Sequence, residues 1–172
     1  MSQETQNSMK KISLDKVVLN MGVGKSGEPI EIGKKALEQI TGKKPNARNA
    51  KKAQRDWGVR KGEPIGIAVT VRGDDATELL KKLLVVKDNQ IAEKAFDNEG
   101  NLSFGIKEHI DIPGIKYDPK IGILGLEVSI SLARPGFNIK FNKSKAKVGK
   151  NHRITKNDAI KFLTEEFGVK VV

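Results

Sequence analysis

The chain has 172 residues, with 32 Lys and Arg against 21 Asp and Glu, a formal net charge of +11 and 37% hydrophobic residues. That is enough apolar material for one domain with a modest core beneath a very polar surface. Cysteine is absent, which excludes disulfides, iron–sulfur clusters and thiolate zinc sites. No apolar stretch approaches the roughly 20 residues of a membrane span, and the start MSQETQNSMKK has no apolar signal core, so a cytoplasmic protein is expected.

Residues 1–10 are polar and read as a flexible tail, followed by a single domain over residues 11–172. In KVVLNMG, Val17, Leu19 and Met21 alternate with Lys16, Val18 and Asn20, the period of a half-buried strand. EPIEIGKKALEQIT sets Ile30, Leu37 and Ile40 on one helical face and stops at Gly42. PIGIAVTVRG alternates strictly, Ile65, Ile67, Val69 and Val71 facing one way and Gly66, Ala68, Thr70 and Arg72 the other. DDATELLKKLLVV predicts a helix with an Asp75-to-Glu78 capping box that buries Leu79, Leu80, Leu83 and Leu84. Two further strands follow: LSFGIK, with Leu102, Phe104 and Ile106 inward, and LGLEVSISLA, with Leu126, Val128, Ile130 and Leu132 inward. TKNDAIKFLTEEFG predicts a last helix that starts at Thr155, buries Ile160, Leu163 and Phe167, and ends at Gly168.

The order of elements lacks βαβ regularity and predicts an α+β fold, an antiparallel β-sheet with helices packed on one face. The opposite face would carry Asn20, Gly66, Ala68, Thr70, Arg72, Ser103, Gly105, Ser129 and Ser131. These are small or polar, so a bulky surface could approach the backbone there.

Charge is concentrated. Residues 43–62 carry a net +7 and residues 134–156 a net +8, which leaves −4 on the other 129 residues. Two dense blocks have the pattern of phosphate-binding footprints. Both are poor in large apolar residues, so their order is expected to come from a partner. Nucleic acid fits that partner better than a membrane, because neither block has an apolar stripe on its back. The charge alone fits either a specific ribonucleoprotein or a sequence-tolerant protein that compacts DNA or RNA.

Enzymatic readings fail on spacing. A phosphate-binding P-loop needs a glycine five positions before the Gly24-Lys25 pair, where this chain has Leu19. His109 and His152 are far apart with no metal-ligand spacing, so neither a metal nor a cofactor is expected. Asp74 with Asp75, and Glu165 with Glu166, are adjacent on helices and diverge by about 100°, which does not suit a general acid and base. Trp57 lies within the first basic block and is a candidate RNA contact. With six Phe, one Tyr and one Trp in all, recognition of folded RNA by shape and phosphate fits better than stacking platforms.

KVVLNMGVGKSGE, ITGKKP, the run from ARNAKK to WGVRKGEPIGIAVTVRG, FDNEGNLSFGIKEHIDIPGIKYDP and GLEVSISLARPG together resemble the universal large-subunit ribosomal proteins that bind 5S ribosomal RNA, large-subunit protein five. The likeness runs from about residue 9 to the end, and KSKAKVGKNHRITKNDAIKF resembles the archaeal branch. The resemblance implies a structural protein of the central protuberance, not an enzyme. Its implied partners are 5S ribosomal RNA, the large-subunit ribosomal RNA, the peptidyl-site transfer RNA, and neighbouring proteins of the central protuberance and the small-subunit head.

Family contact positions fall on Asn20, on Lys43 (Gln in many relatives), on Trp57 (Phe in many relatives) and on Thr70. With Lys44, Lys51, Lys52, Arg60 and Arg72 these make the expected RNA-binding set. The segment that matches the family's transfer-RNA loop offers Arg48, Asn49, Arg55 and Lys61. Lys143, Lys145, Lys147, Lys150, His152 and Arg153 are candidates for further ribosomal RNA contacts.

Overall fold

Each alternating segment forms its strand. The computed structural model describes residues 7–24, 26–115, 118–119, 121–142 and 147–172, so Lys143 and Lys145 lie outside the described residues. Five antiparallel strands form one sheet in the order β2-β3-β1-β6-β5: β1 (Ser13–Gly22), β2 (Asn46–Asn49), β3 (Pro64–Val71), β5 (Leu102–Ile106) and β6 (Leu126–Ala133). A separate parallel pair joins β4 (Gln90–Ile91) to β7 (Lys170–Val171). β1 begins before its alternation does, because a register shift between Leu14 and Lys16 opposite β6 interrupts the period.

The inward residues of the sheet, including Val17, Leu19, Ile67, Val69, Val128 and Ile130, are buried. α1 (Glu28–Thr41) and α2 (Asp74–Val85) pack on them, and α3 (Lys156–Phe167) adds Ala159 and Leu163 to the same core. Fully buried leucines such as Leu19, Leu37, Leu80 and Leu83 each contribute about 2–3 kcal/mol by leaving water. α1 comes down close on β3 at Gly33, where a Cβ would stand 2.6 Å from Ile67 Cδ1.

Several local expectations are corrected. α2 has no side-chain cap: Gly73 is its N-cap, and Asp75 turns instead to Lys43 in the loop between α1 and β2. The capping box lies on α3, where Thr155 and Asp158 bond each other's backbone amides. Ile40, Ile160 and Phe167 are only half-buried, because the short Ala36 and Ala159 occupy the closest-packed positions of their helices. The first basic block supplies much of its own order, since residues 46–49 are the edge strand β2 and Ala50 is buried. In the N-terminal stretch, Ser8–Lys10 forms an exposed 3-10 turn, with the Asn7 side chain accepting from the Met9 amide.

Candidate nucleic-acid interface

Strand register lines up the outward side chains in rows across the sheet. One row runs Asn46, Ala68, Asn20, Glu127, Gly105; the next runs Thr70, Val18, Ser129, Ser103. Thr70, Ser103, Gly105 and Ser129 are exposed, whereas Gly66 and Ala68 are buried. These last two depart from the expected open face because β3 is flanked on both sides by β1 and β2, whose side chains shield its shortest residues. A concavity of about 460 Å3 opens on this face beside Asn20, with Lys87 and Lys107 on its wall. Neither lysine is in the expected RNA-binding set, although Lys107 is the last outward residue of LSFGIK.

Three of the expected RNA contacts have acidic partners within the chain. The Asn20 amide donates to Glu127 Oε2 at 3.3 Å, Arg72 pairs with Asp15, and Lys43 Nζ lies 2.7 Å from Asp75 Oδ2. The Lys43 ammonium holds the Asp75 carboxyl below its ordinary value, by hydrogen bond first and charge second. Solvent-exposed pairs of this kind contribute about 0–1 kcal/mol, so an RNA phosphate can replace the carboxylate at little cost.

β2 and β3 continue beyond the sheet as a cationic hairpin. Its base is closed by the Ala50 amide on the Glu63 carbonyl (2.8 Å) and the Gly62 amide on the Ala50 carbonyl (2.9 Å). Nearer the tip, Gln54 and Val59 exchange amide-to-carbonyl bonds of 2.9 and 3.0 Å. Between them a short 3-10 turn, Arg55–Trp57, carries Trp57 at 78% exposure, an orientation that offers the indole to a partner rather than to the core. Lys51, Lys52, Arg55, Arg60 and Lys61 are exposed around it. Arg48 is on β2 opposite Gly66, so it belongs to the open sheet face, not to the tip; Asn49 is the last residue of β2, at a register shift opposite Pro64.

Glu63 went unnoticed in the sequence and organises this hairpin. One carboxylate oxygen accepts from the Ser26 hydroxyl in the β1–α1 loop and the other from the Arg60 amide at 2.9 Å. Those two bonds, the Ser26 bond being the larger influence, hold the carboxyl below its ordinary value of 4.5.

The second basic block lies at the other end of β1. Ser13 pairs with Ala133 there, whereas Gly22 pairs with Gly66 beside the hairpin, nine residues and about 30 Å away. Arg134 is an internal strut, its guanidinium bonded to Asp158 and the Arg153 carbonyl, each at 3.2 Å. His152 Nε2 is 2.8 Å from the Pro135 carbonyl and its ring meets Phe137 edge-on, so the imidazole serves the loop's own packing. Lys147, Lys150 and Arg153 remain exposed. His109, by contrast, is buried: its Nδ1 accepts from the Leu124 amide at 3.3 Å and ties two loops together. Among the described residues no group of acids, His and Cys could hold a metal, and no helix is long and apolar enough to cross a membrane.

The family of ribosomal protein L5 matches residues 7–60, and the family of its C-terminal part matches residues 64–162. The chain belongs to the ribosomal protein L5 family. It is 67% identical over 172 residues to the large ribosomal subunit protein uL5 of Nitrosopumilus maritimus, covering 99% of each chain. The uL5 of Cenarchaeum symbiosum is 59% identical over 165 residues, covering 95% of this chain and 98% of the relative, and that of Sulfolobus acidocaldarius is 45% identical over 168 residues, covering 97% and 94%. The two L5 segments meet at the base of the cationic hairpin, and one sheet draws β1 and β2 from the first and β3, β5 and β6 from the second.

Proposed function

We propose that this protein is a structural constituent of the large ribosomal subunit that binds 5S ribosomal RNA and helps form the central protuberance. The open sheet face, with Asn20, Thr70 and Arg72, and the hairpin, with Lys51, Lys52, Trp57 and Arg60, form the binding surface; Lys43 and Lys44 adjoin it. The hairpin cations Arg55 and Lys61, with Arg48 and Asn49 on the adjoining β2, reach the elbow of the peptidyl-site transfer RNA. Large-subunit ribosomal RNA and neighbouring proteins of the central protuberance and small-subunit head complete the partners, and the ribosome is the cytoplasmic location. One observation carries this reading: a face of short and polar side chains runs without interruption into a hairpin whose exposed charged residues, Asp56 apart, are all cationic. Small side chains let an RNA backbone come close, and the hairpin adds charge where the sheet has little.

Competition titration tests it. If half of the sixteen Lys and Arg in the two blocks meet phosphates, log affinity for 5S ribosomal RNA falls against log salt with a slope of about −6. A binding constant unchanged between about 50 and 200 mM salt contradicts the electrostatic part. Duplex DNA that competes as well as 5S RNA does would make the protein a sequence-tolerant compaction factor instead.

A further inference from the structure

A cavity of about 330 Å3 opens at the end of the molecule remote from the hairpin, between the 97–101 turn and the second basic block. Its apolar lining is Phe137, Val148 and Ile154, and its rim holds Lys140, Lys147 and Arg153. Val148 and Ile154 are buried at 8% and 2% exposure, so this lining is part of the packed structure. Arg153 spends Nε on the Val148 carbonyl at 3.3 Å, which orients the guanidinium and leaves its terminal N–H groups without a partner among the described residues. Lys147 has no ion-pair or hydrogen-bond partner among the described residues either. Lys140 stands 3.7 Å from Glu99 and 4.9 Å from the Phe137 ring centre.

The opposite wall is rigid. Asp97 accepts from the Glu99 amide at 2.9 Å and from the Asn101 amide and side chain at 2.7 Å each. Asn98 sits on this fixed turn with a carboxamide that has no partner among the described residues. An apolar lining, an amide able to donate and accept, and cations at the mouth suit a site for one nucleotide: base inside, phosphate outside. The volume is at the small end for ligand pockets and suits one nucleotide rather than two.

We propose that this cavity receives a single unstacked nucleotide of an RNA strand, its base against Phe137, Val148 and Ile154 and its phosphate on Lys147 and Arg153. The proposal rests on the reading that the second basic block contacts RNA, and it turns a charge argument about that block into one pocket with named walls. Glu99 sets the sign of one preference: its carboxylate beside Asn98 favours a base edge that presents a donor.

The experiment is amide chemical-shift titration of the labelled full chain with a single-stranded pentaribonucleotide of mixed sequence and, separately, with nucleoside monophosphates. Shifts at Asn98, Val148 and Ile154 by the pentamer, with affinity weakened about tenfold in Lys147→Glu and several-fold in Asn98→Ala, are expected. Monophosphates at millimolar concentration should shift the same amides far more weakly. If they bind as tightly as the pentamer, the site belongs to a free nucleotide and the RNA assignment is overturned. Pentamer shifts confined to the hairpin and sheet face, or an unchanged affinity in Lys147→Glu, overturn the site itself. Lys51→Glu separates the two readings: loss of 5S binding there with pocket shifts intact leaves both standing, whereas undiminished 5S binding counts against the hairpin interface alone.

Discussion

Single residues decide how closely parts of this protein approach one another. Gly100 is the sharpest case: its φ is +77°, and a Cβ would stand 2.5 Å from Ile154 Cγ2. Gly100→Ala therefore meets both backbone strain and overpacking, and an equilibrium denaturant titration should show a loss of about 2–4 kcal/mol. A loss below about 0.5 kcal/mol would mean that the turn relaxes freely. His109 shows what a lone residue hides. Nothing in the pattern around EHIDIPG distinguishes an exposed from a buried imidazole, because its burial depends on the distant Leu124 loop. Asp75 shows the opposite limit. Its spacing to Glu78 fits a cap, yet Lys43 arrives from a segment 32 positions earlier and takes the carboxylate at 2.7 Å.

At the scale of elements, the hairpin depends on Glu63. Since the Ser26 hydroxyl and Arg60 amide depress its folded pKa, its contribution is complete above the ordinary carboxylate range and is lost as pH falls through the lowered value. The Arg60 amide shift should accordingly titrate with a midpoint below the ordinary 4.5, and a midpoint at or above that value would remove Glu63 from the hairpin base. Elements with one buried face were legible from their period. β6 alternates cleanly, β3 alternates in sequence although its short Gly66 and Ala68 are buried as well, and the bounds of α1 and the Thr155 start of α3 follow from turn and cap residues. β2 was not legible, since all four of its residues, Asn46 to Asn49, are exposed or half-buried, and an edge strand with no buried side carries no alternation. β4 and β7 have two residues each, too few for any period, and they find each other only once α3 has brought the C-terminus back.

Across the whole molecule, the antiparallel sheet separates two cationic surfaces by the length of β1. The expected contact set divides accordingly. Asn20, Thr70, Arg72 and Arg48 share the open face, Lys51, Lys52, Arg55, Trp57, Arg60 and Lys61 share the hairpin, and Lys147, Lys150 and Arg153 lie at the far end. The sequence could show that the charge was in two blocks, but not that they sit at opposite ends. That separation is a property of register, which pairs Ser13 with Ala133 and Gly22 with Gly66. The central claim is that the small-residue face of this sheet receives 5S ribosomal RNA. Its most direct test is the 5S affinity of Thr70→Arg at fixed salt, measured beside the melting temperature of the same variant. Thr70 is exposed on this face at the end of the row it shares with Val18, Ser129 and Ser103, so the substitution adds bulk there without disturbing the core. The expected result is binding at least tenfold weaker, despite the added positive charge, with an unchanged melting temperature; equal or tighter binding would contradict the claim and move the RNA off the sheet.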